Sequence, residues 1–202
     1  MFSGIVQEIG TVKNINSSSG ILNIEISCSE LIKDLKEGDS VSVDGCCETI
    51  VKTTSSSFIV QATGETLNKT NFKSLKKDSK INLEAALKIG DKINGHLVTG
   101  HIDTTGEVSD VLSSYDNKIV KIVFPLEFKN YIAAKGSITV NGVSLTVIDV
   151  KNNEFSFTLI PYTRDNTNLG LIKEGDLVNL EVDLISRYLV NYMENTKTLV
   201  LK

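Results

Sequence analysis

Short runs of alternating apolar and polar residues dominate the chain: "ILNIEIS" (21–27), "VSVDG" (41–45), "SFIVQA" (57–62), "KIVKIVF" (118–124), "SITVNG" (137–142) and "FSFTLIP" (155–161). A period of two sends successive side chains to opposite faces, so each run predicts a half-buried β-strand. Between them "SSSG" (17–20), "DG" (44–45), "YDNK" (115–118), "NG" (141–142) and "KNNE" (151–154) read as turns. Three segments carry a helical pattern instead. "SELIKDL" (29–35) and "PLEFKNYIAAKG" (125–136) are read as short helices. In "DLISRYLVNYMENTK" (183–197) a longer helix puts Ile185, Tyr188, Leu189, Tyr192 and Met193 on one apolar stripe.

The pattern is written twice. A shift of 97 residues lays 39–87 over 136–184 without a gap, so that "SVSVDGCCETIV" falls on "SITVNGVSLTVI" and "INLEAAL" on "VNLEVDL". With a shift one residue shorter, "SGIVQEIGTV" (3–12) falls on "TGHIDTTGEV" (99–108). A repeat of this length is domain-sized, too long for a solenoid unit. Six or so strands and one helix per copy, with turns about every ten residues, suggest a small closed barrel. The expected fold is therefore mainly β: two tandem six-stranded barrels at 1–96 and 97–185, then a C-terminal α-helix at 186–202. The apolar stripe of that helix must be covered, either by its own barrel or by the same helix of other subunits.

Composition narrows the function classes. The chain has 202 residues, 23% of them charged, and a formal net charge of −4, which offers no electrostatic footprint for nucleic acid. Three cysteines without a CxxC spacing argue against a zinc site and fit a reducing compartment. Neither a signal peptide nor a membrane-length apolar run is evident, so the expected location is the cytoplasm. His96 and His101 are the only histidines. Spaced by five, they do not share a helical face and are a poor metal pair.

The opening "MFSGIV", "VDGCC" followed by Thr49, "ETLNKT" (65–70), "GHLVTGHID" (95–103), "KGSITVNGVSLTV" (135–147), "LIPYTRDNTNL" (159–169) and "VNLEVD" (178–183) occur in one order across nearly the whole chain. Together they resemble the riboflavin synthases of the α type, built from two lumazine-binding repeats. The resemblance implies Greek-key barrels and a homotrimer whose reaction centre forms between the N-terminal barrel of one subunit and the C-terminal barrel of its neighbour. It implies a transferase that dismutates 6,7-dimethyl-8-ribityllumazine, without metal or organic cofactor, to riboflavin and a ribitylamino-pyrimidinedione. Association with lumazine synthase, which makes the substrate, is an open partner expectation. A runner-up reading is a non-catalytic lumazine- or flavin-binding antenna protein with the same two barrels.

Alternation puts Cys47 and Thr49 on one face of their strand and Cys46 and Glu48 on the other, with Ser144 and Thr146 matching the first face in the second copy. By the resemblance, Cys47 adds to or polarises a lumazine, and His101, assisted by His96, shuttles the proton of an acidified ring methyl. Phe2 is expected over the reaction centre, and Ser144 and Asp183 complete the catalytic set. Asp183 has an alternative reading as the cap of the tail helix. Substrate contacts are expected from Gly4, Ile5, Val6, Ser40, Thr49, Thr63, Thr66, Gly100, His101, Lys135, Asn141, Ser144, Thr146, Ile160 and Thr163. Two positions depart from the family pattern: Asn141, where Asp is frequent, and Glu48, where Leu is usual. Glu48 points inward and is expected to pair with a lysine or to tip to solvent at the rim.

Overall fold

A computed structural model describes residues 1–18, 20–114 and 116–200. The first barrel is built from β1 (Glu8–Ser18), β2 (Ile21–Ser27), β3 (Ser40–Val43), β4 (Cys46–Thr53), β5 (Ser57–Ala62) and β6 (Lys80–Ala85). Its strands close in the order β1-β2-β5-β4-β3-β6, all antiparallel. The second repeats it with β7 (Thr104–Ser114), β8 (Asn117–Val123), β9 (Ser137–Val140), β10 (Val143–Lys151), β11 (Glu154–Leu159) and β12 (Leu177–Val182). The step from β2 to β5 and from β8 to β11 gives each barrel its Greek-key path, and closure gives every strand a neighbour on both sides.

The tight turns are legible in the residues. Asp44 and Gly45 have φ of 44° and 83°, and Asn141 and Gly142 of 45° and 78°. Positive φ at both central positions is what a two-residue hairpin needs, and Asp-Gly and Asn-Gly tolerate it best. Each hairpin delivers an outward-facing residue to the same place on its barrel, Cys47 on β4 and Ser144 on β10.

Inward positions form two separate cores. Ile24, Val41, Val43, Ile50, Phe58 and Leu83 fill the first, and Ile138, Val140, Val147, Phe155, Phe157 and Leu180 the second. Where the second barrel has buried Leu145, the first has buried Glu48. Glu48 neither tips to solvent nor pairs with a lysine among the described residues. It is 6% exposed, and its carboxylate accepts a 3.4 Å bond from the Cys46 thiol. Burial holds its pKa up, near 7. The strand's alternation leaves an inward residue no route to the rim.

The short helices lie elsewhere than the sequence suggests. At 29–35 and 125–136 there are only 3-10 turns, Leu31–Lys33 and Leu126–Tyr131. Helix nucleation is costly, and segments this short take the conformation that packs; Phe128 and Tyr131 rest on the second core. The unanticipated helices are α1 (Gly64–Lys69) and α2 (Pro161–Asn166), the latter begun by Pro161, whose fixed φ suits the first helical turn. The tail helix is α3 (Leu184–Val200). Val190 is buried, but Ile185, Tyr188, Leu189, Tyr192 and Met193 are 50–71% exposed, so the stripe is not covered by the helix's own barrel. No described helix is long and apolar enough to cross a membrane.

Candidate active site: two pockets closed by exchanged segments

The two segments that precede the barrels cross over. Residues 1–6 lead into the first barrel but lie on the second: Ser144 N donates to Gly4 O at 2.8 Å, and Val6 packs on the second core. Residues 98–102 lead into the second barrel but lie on the first. There Cys47 N donates to Gly100 O at 2.8 Å, and Ile102 packs on the first core. The segments also bridge one another, Phe2 N donating to Val98 O at 2.7 Å and Val98 N to Phe2 O at 3.1 Å.

Two buried glutamates clamp these crossings. Glu84 accepts from Ser3 N (2.7 Å), Ser3 Oγ (2.8 Å) and Gly4 N (3.1 Å). Glu181 repeats this with Thr99 N (2.8 Å), Thr99 Oγ1 (2.5 Å) and Gly100 N (3.0 Å). Burial raises the pKa of each, and these hydrogen bonds oppose it. Neither glutamate was among the expected site residues. The only signal was "NLE" written twice: alternation puts its Leu in the core and its acid on the outer wall, where the crossing segment buries it.

Gly4 and Gly100 have φ of 76° and 81°. A Cβ on Gly4 would fall 2.6 Å from Ser144 Cβ, and one on Gly100 2.5 Å from Cys47 Cβ and 2.9 Å from the Phe2 ring. Only glycine permits both the backbone conformation and the approach.

On the first barrel Cys47 is half-buried at a cavity of about 210 Å³, lined also by Cys46, Thr66, Lys69, His101 and Ile102. Ser40 faces Thr49 across the β3–β4 ladder, on the outer wall shared with Cys47, and Thr63 precedes α1. On the second barrel Ser144 Oγ lies 2.7 Å from His96 Nδ1, and Thr139 Oγ1 lies 3.2 Å from His96 Nε2. Burial lowers the His96 pKa, and the Asp183 charge works against that. His96 thus sits against Ser144 and His101 at the Cys47 cavity, one histidine at each of the two repeat-related sites.

The remaining expected residues divide. Thr146 and Thr163 sit at positions equivalent to Thr49 and Thr66, with Ile160 just before α2 and Lys135 exposed in the turn before β9. Ile5 is exposed on the crossing segment. Phe2 is fully buried between the crossings and not open to either pocket. Asp183 caps α3, accepting from Ile185 N at 2.8 Å, while staying within electrostatic reach of His96. Asn141 lies in the seam between the barrels, bonded to Asn179 N at 2.8 Å, rather than in a pocket. That seam carries a groove of about 600 Å³, lined by no thiol or imidazole.

The model of the lumazine binding domain matches residues 3–86 and again 99–183. The chain belongs to the lumazine-binding family. Among curated relatives it is 35% identical to riboflavin synthase of Actinobacillus pleuropneumoniae, over 96% of this chain and 90% of that protein. It is 37% identical to the Mycobacterium tuberculosis riboflavin synthase, over 96% and 99%, and 33% to that of Bacillus subtilis, over 96% and 90%. Among solved structures it resembles LumP complexed with riboflavin, with a TM-score of 0.85 at 26% identity, over 90% of this chain and 99% of that one. LumP complexed with 6,7-dimethyl-8-(1'-D-ribityl) lumazine gives 0.83 at 25%, with the same coverage. In this member of the lumazine-binding family each matched repeat begins at the clamped crossing, Ser3 and Thr99, so the exchange is part of the repeat itself.

Proposed function

We propose that this protein is a riboflavin synthase, an enzyme of riboflavin synthesis that moves a four-carbon unit between two molecules of 6,7-dimethyl-8-ribityllumazine. The products are riboflavin and 5-amino-6-(D-ribitylamino)uracil. The observation that carries the reading is the pair of unequal, repeat-related sites: a cavity with Cys47 and His101, and the Ser144 site occupied by His96, each walled by the other half's segment. Two identical substrates must meet, one as donor and one as acceptor, and similar folds with different side chains meet that need. Holding both rings in attack geometry removes up to ~7–11 kcal/mol of the barrier in the best cases.

In this reading the Cys47 thiol adds to or polarises one lumazine while His101 handles its ring-methyl proton. Ser144, oriented by His96, hydrogen-bonds the other. Thr66 and Thr163 serve the pyrimidine edges, and Asp183 tunes His96. The working form is a cytoplasmic homotrimer. The exposed stripe of α3 joins the copies, and the first barrel of one subunit faces the second barrel of the next. An encounter with lumazine synthase would deliver substrate.

The likeness to LumP favours a second reading, a carrier that binds lumazine or flavin without turnover. One experiment separates them. The purified protein is mixed with 6,7-dimethyl-8-ribityllumazine, with no metal or cofactor added, and riboflavin is followed by absorbance. One riboflavin per two lumazines consumed is expected; tight binding without riboflavin would replace the enzyme with the carrier.

A further inference from the structure

The barrels meet along a pseudo-twofold seam of side-chain amides. Asn82 Nδ2 donates to Asn141 O (2.8 Å) and Asn168 Oδ1 (2.9 Å), and Asn168 N donates to Asn82 Oδ1 (2.7 Å). The repeat returns two of these three contacts from the other side: Asn179 Nδ2 donates to Asp44 O (2.9 Å), and Asn71 N to Asn179 Oδ1 (2.7 Å). Asn82 N donates to Asp44 Oδ1 (2.7 Å) as Asn179 N does to Asn141 Oδ1 (2.8 Å).

The symmetry fails around Asn71. The bonds from Asn82 Nδ2 to Asn168 Oδ1 and from Asn168 Nδ2 to Asp44 Oδ1 (2.8 Å) have no counterpart from Asn179 or Asn71 among the described residues. A third difference involves the turn itself. In the second copy Asn141 Nδ2 donates to Asn168 Oδ1 at 3.4 Å. In the first copy the same two positions hold Asp44 and Asn71, and an ionised carboxylate has no hydrogen to give. Accordingly, Asn71 Oδ1 is the one buried side-chain polar atom without a partner among the described residues. Turning the amide over is no remedy, because Asn71 Nδ2 donates to Leu177 O at 3.1 Å, just as Asn168 Nδ2 does to Lys80 O at 3.1 Å. Asp44 is 2% exposed and Asn71 8%. An acceptor buried without a donor costs about 1–3 kcal/mol, and a second acceptor in the donor's place adds repulsion.

We propose that Asp44 is a neutral carboxylic acid in the folded protein, its Oδ2–H donating to Asn71 Oδ1 where Asn141 offers Asn168 an amide. Burial acts in the same direction, pushing the Asp44 pKa from 3.8 to about 8 against the hydrogen bonds from Asn82 N and Asn168 Nδ2. The charged groups facing the groove are Lys76, Lys80 and Asp176. Lys80 Nζ is bound to Thr11 Oγ1 at 2.7 Å and Asp176 accepts from Lys173 N at 2.9 Å. No ion pair to Asp44 occurs among the described residues. The remaining neighbours, on β6, β12 and the Asn71 and Asn168 turns, are the neutral amides named above. Asp44 is a positioning residue. Its turn runs directly into Cys46 and Cys47, so its proton fixes how the first pocket sits against the second barrel.

The test is Asp44→Asn, which keeps the Oδ1 acceptor and supplies the N–H that the acid gives when neutral. Stability to urea is measured for both proteins from pH 5 to 9. Between 3.8 and about 8 the folded wild type holds one proton that the unfolded chain has released. Stability therefore falls with pH in that window: the folding equilibrium constant of wild type drops tenfold per pH unit relative to D44N, then levels off. In the infrared difference spectrum of wild type minus D44N at pH 6, one protonated-carboxyl band should remain, because Glu48, whose pKa is near 7, contributes equally to both proteins and cancels. A difference independent of pH, or no such band, would overturn the proposal. So would a D44N protein that cannot fold, since the amide reproduces every hydrogen bond of the neutral acid.

Discussion

The Cys47 and Ser144 sites are the same backbone construction with different side chains. Both sit on the outer wall of a barrel beside a two-residue hairpin, and both are walled by a glycine whose carbonyl accepts from the strand. Both depend on a buried glutamate beneath that glycine. At the first, His101 is exposed at the rim of a cavity and makes no hydrogen bond to Cys47. At the second, His96 is drawn in and held by Ser144 and Thr139. The lesson is that the backbone of the repeat is preserved where it closes a pocket, and the side chains diverge where chemistry must differ. Two substrates of one kind can then be given two roles.

Separating the pockets between subunits should have the largest effect. Truncation before Ser186 removes Tyr188, Leu189, Tyr192 and Met193, all of the exposed stripe of α3 except Ile185. Light scattering is expected to show monomers, and riboflavin formation is expected to fall to background, while lumazine binding to single chains survives. Trimers that persist without the helix would break this picture. Full activity in monomers would place both substrates within one chain.

Next in size are the crossings themselves. Gly100→Ala and Gly4→Ala each put a Cβ within 2.5–2.6 Å of another and force a residue with a side chain into positive φ. Overpacking of this kind costs ~1–3 kcal/mol, and a displacement near 1 Å at a reaction centre costs ~10²-fold in rate. Both variants should lose about that much activity, with ligand affinity falling mainly in the Cys47 pocket for the first and the Ser144 pocket for the second. Steady-state kinetics and fluorescence titration would check it. A harmless Gly4→Ala would mean that the N-terminal segment closes nothing.

Much of this was legible in the residues. The repeat, the strands and the hairpins follow from alternation and from Asp-Gly and Asn-Gly, which are local signals. The crossing was not, because nothing in residues 1–6 says on which barrel they will lie. "NLE" repeated at 82–84 and 179–181 carried a faint hint, the same acid kept at one outward position of both copies. Helices α1 and α2 were missed because six residues give no periodicity, and they are held by the barrels they cap. Glu48 and Asn141 show the opposite failure. Each stood out as a departure, but its surroundings, the core for one and the seam for the other, are set by tertiary contacts.

Making β4 like β10 should yield a smaller gain, in stability. Glu48→Leu gives the first core the residue that the second has in Leu145. The Glu48 pKa rises from 4.5 to about 7 on folding. The unfolded chain therefore loses this proton first, and the penalty grows as pH climbs through that window and is complete above it. Its size is about 3 kcal/mol, so at pH 8 the variant should melt several degrees higher. At pH 4 the advantage should shrink to whatever packing alone provides. An equal shift at both pH values would show that packing, and not charge, sets the difference.

The smallest effect concerns the histidine of the second pocket. Burial lowers the His96 pKa below 6.5, so the ring is neutral through the neutral range. A neutral ring donates from one nitrogen and accepts at the other, which matches hydroxyls at both. Protonation would make both nitrogens donors, so the Ser144 and Thr139 hydroxyls would both have to accept from the ring and the Ser144 O–H would be re-aimed. Activity should therefore fall on the acid side about tenfold per pH unit, with a midpoint under 6.5. His96→Gln should abolish that limb while costing less than about tenfold at pH 8, because an amide still offers one donor and one acceptor. Asp183 pulls the same pKa upward, so Asp183→Asn should move the limb to lower pH. Asparagine caps a helix as well as aspartate, so α3 should keep its stability and the shift can be assigned to charge. A limb left unmoved by both changes would transfer the titration to another group and make the Ser144 pocket a passive holder of its substrate.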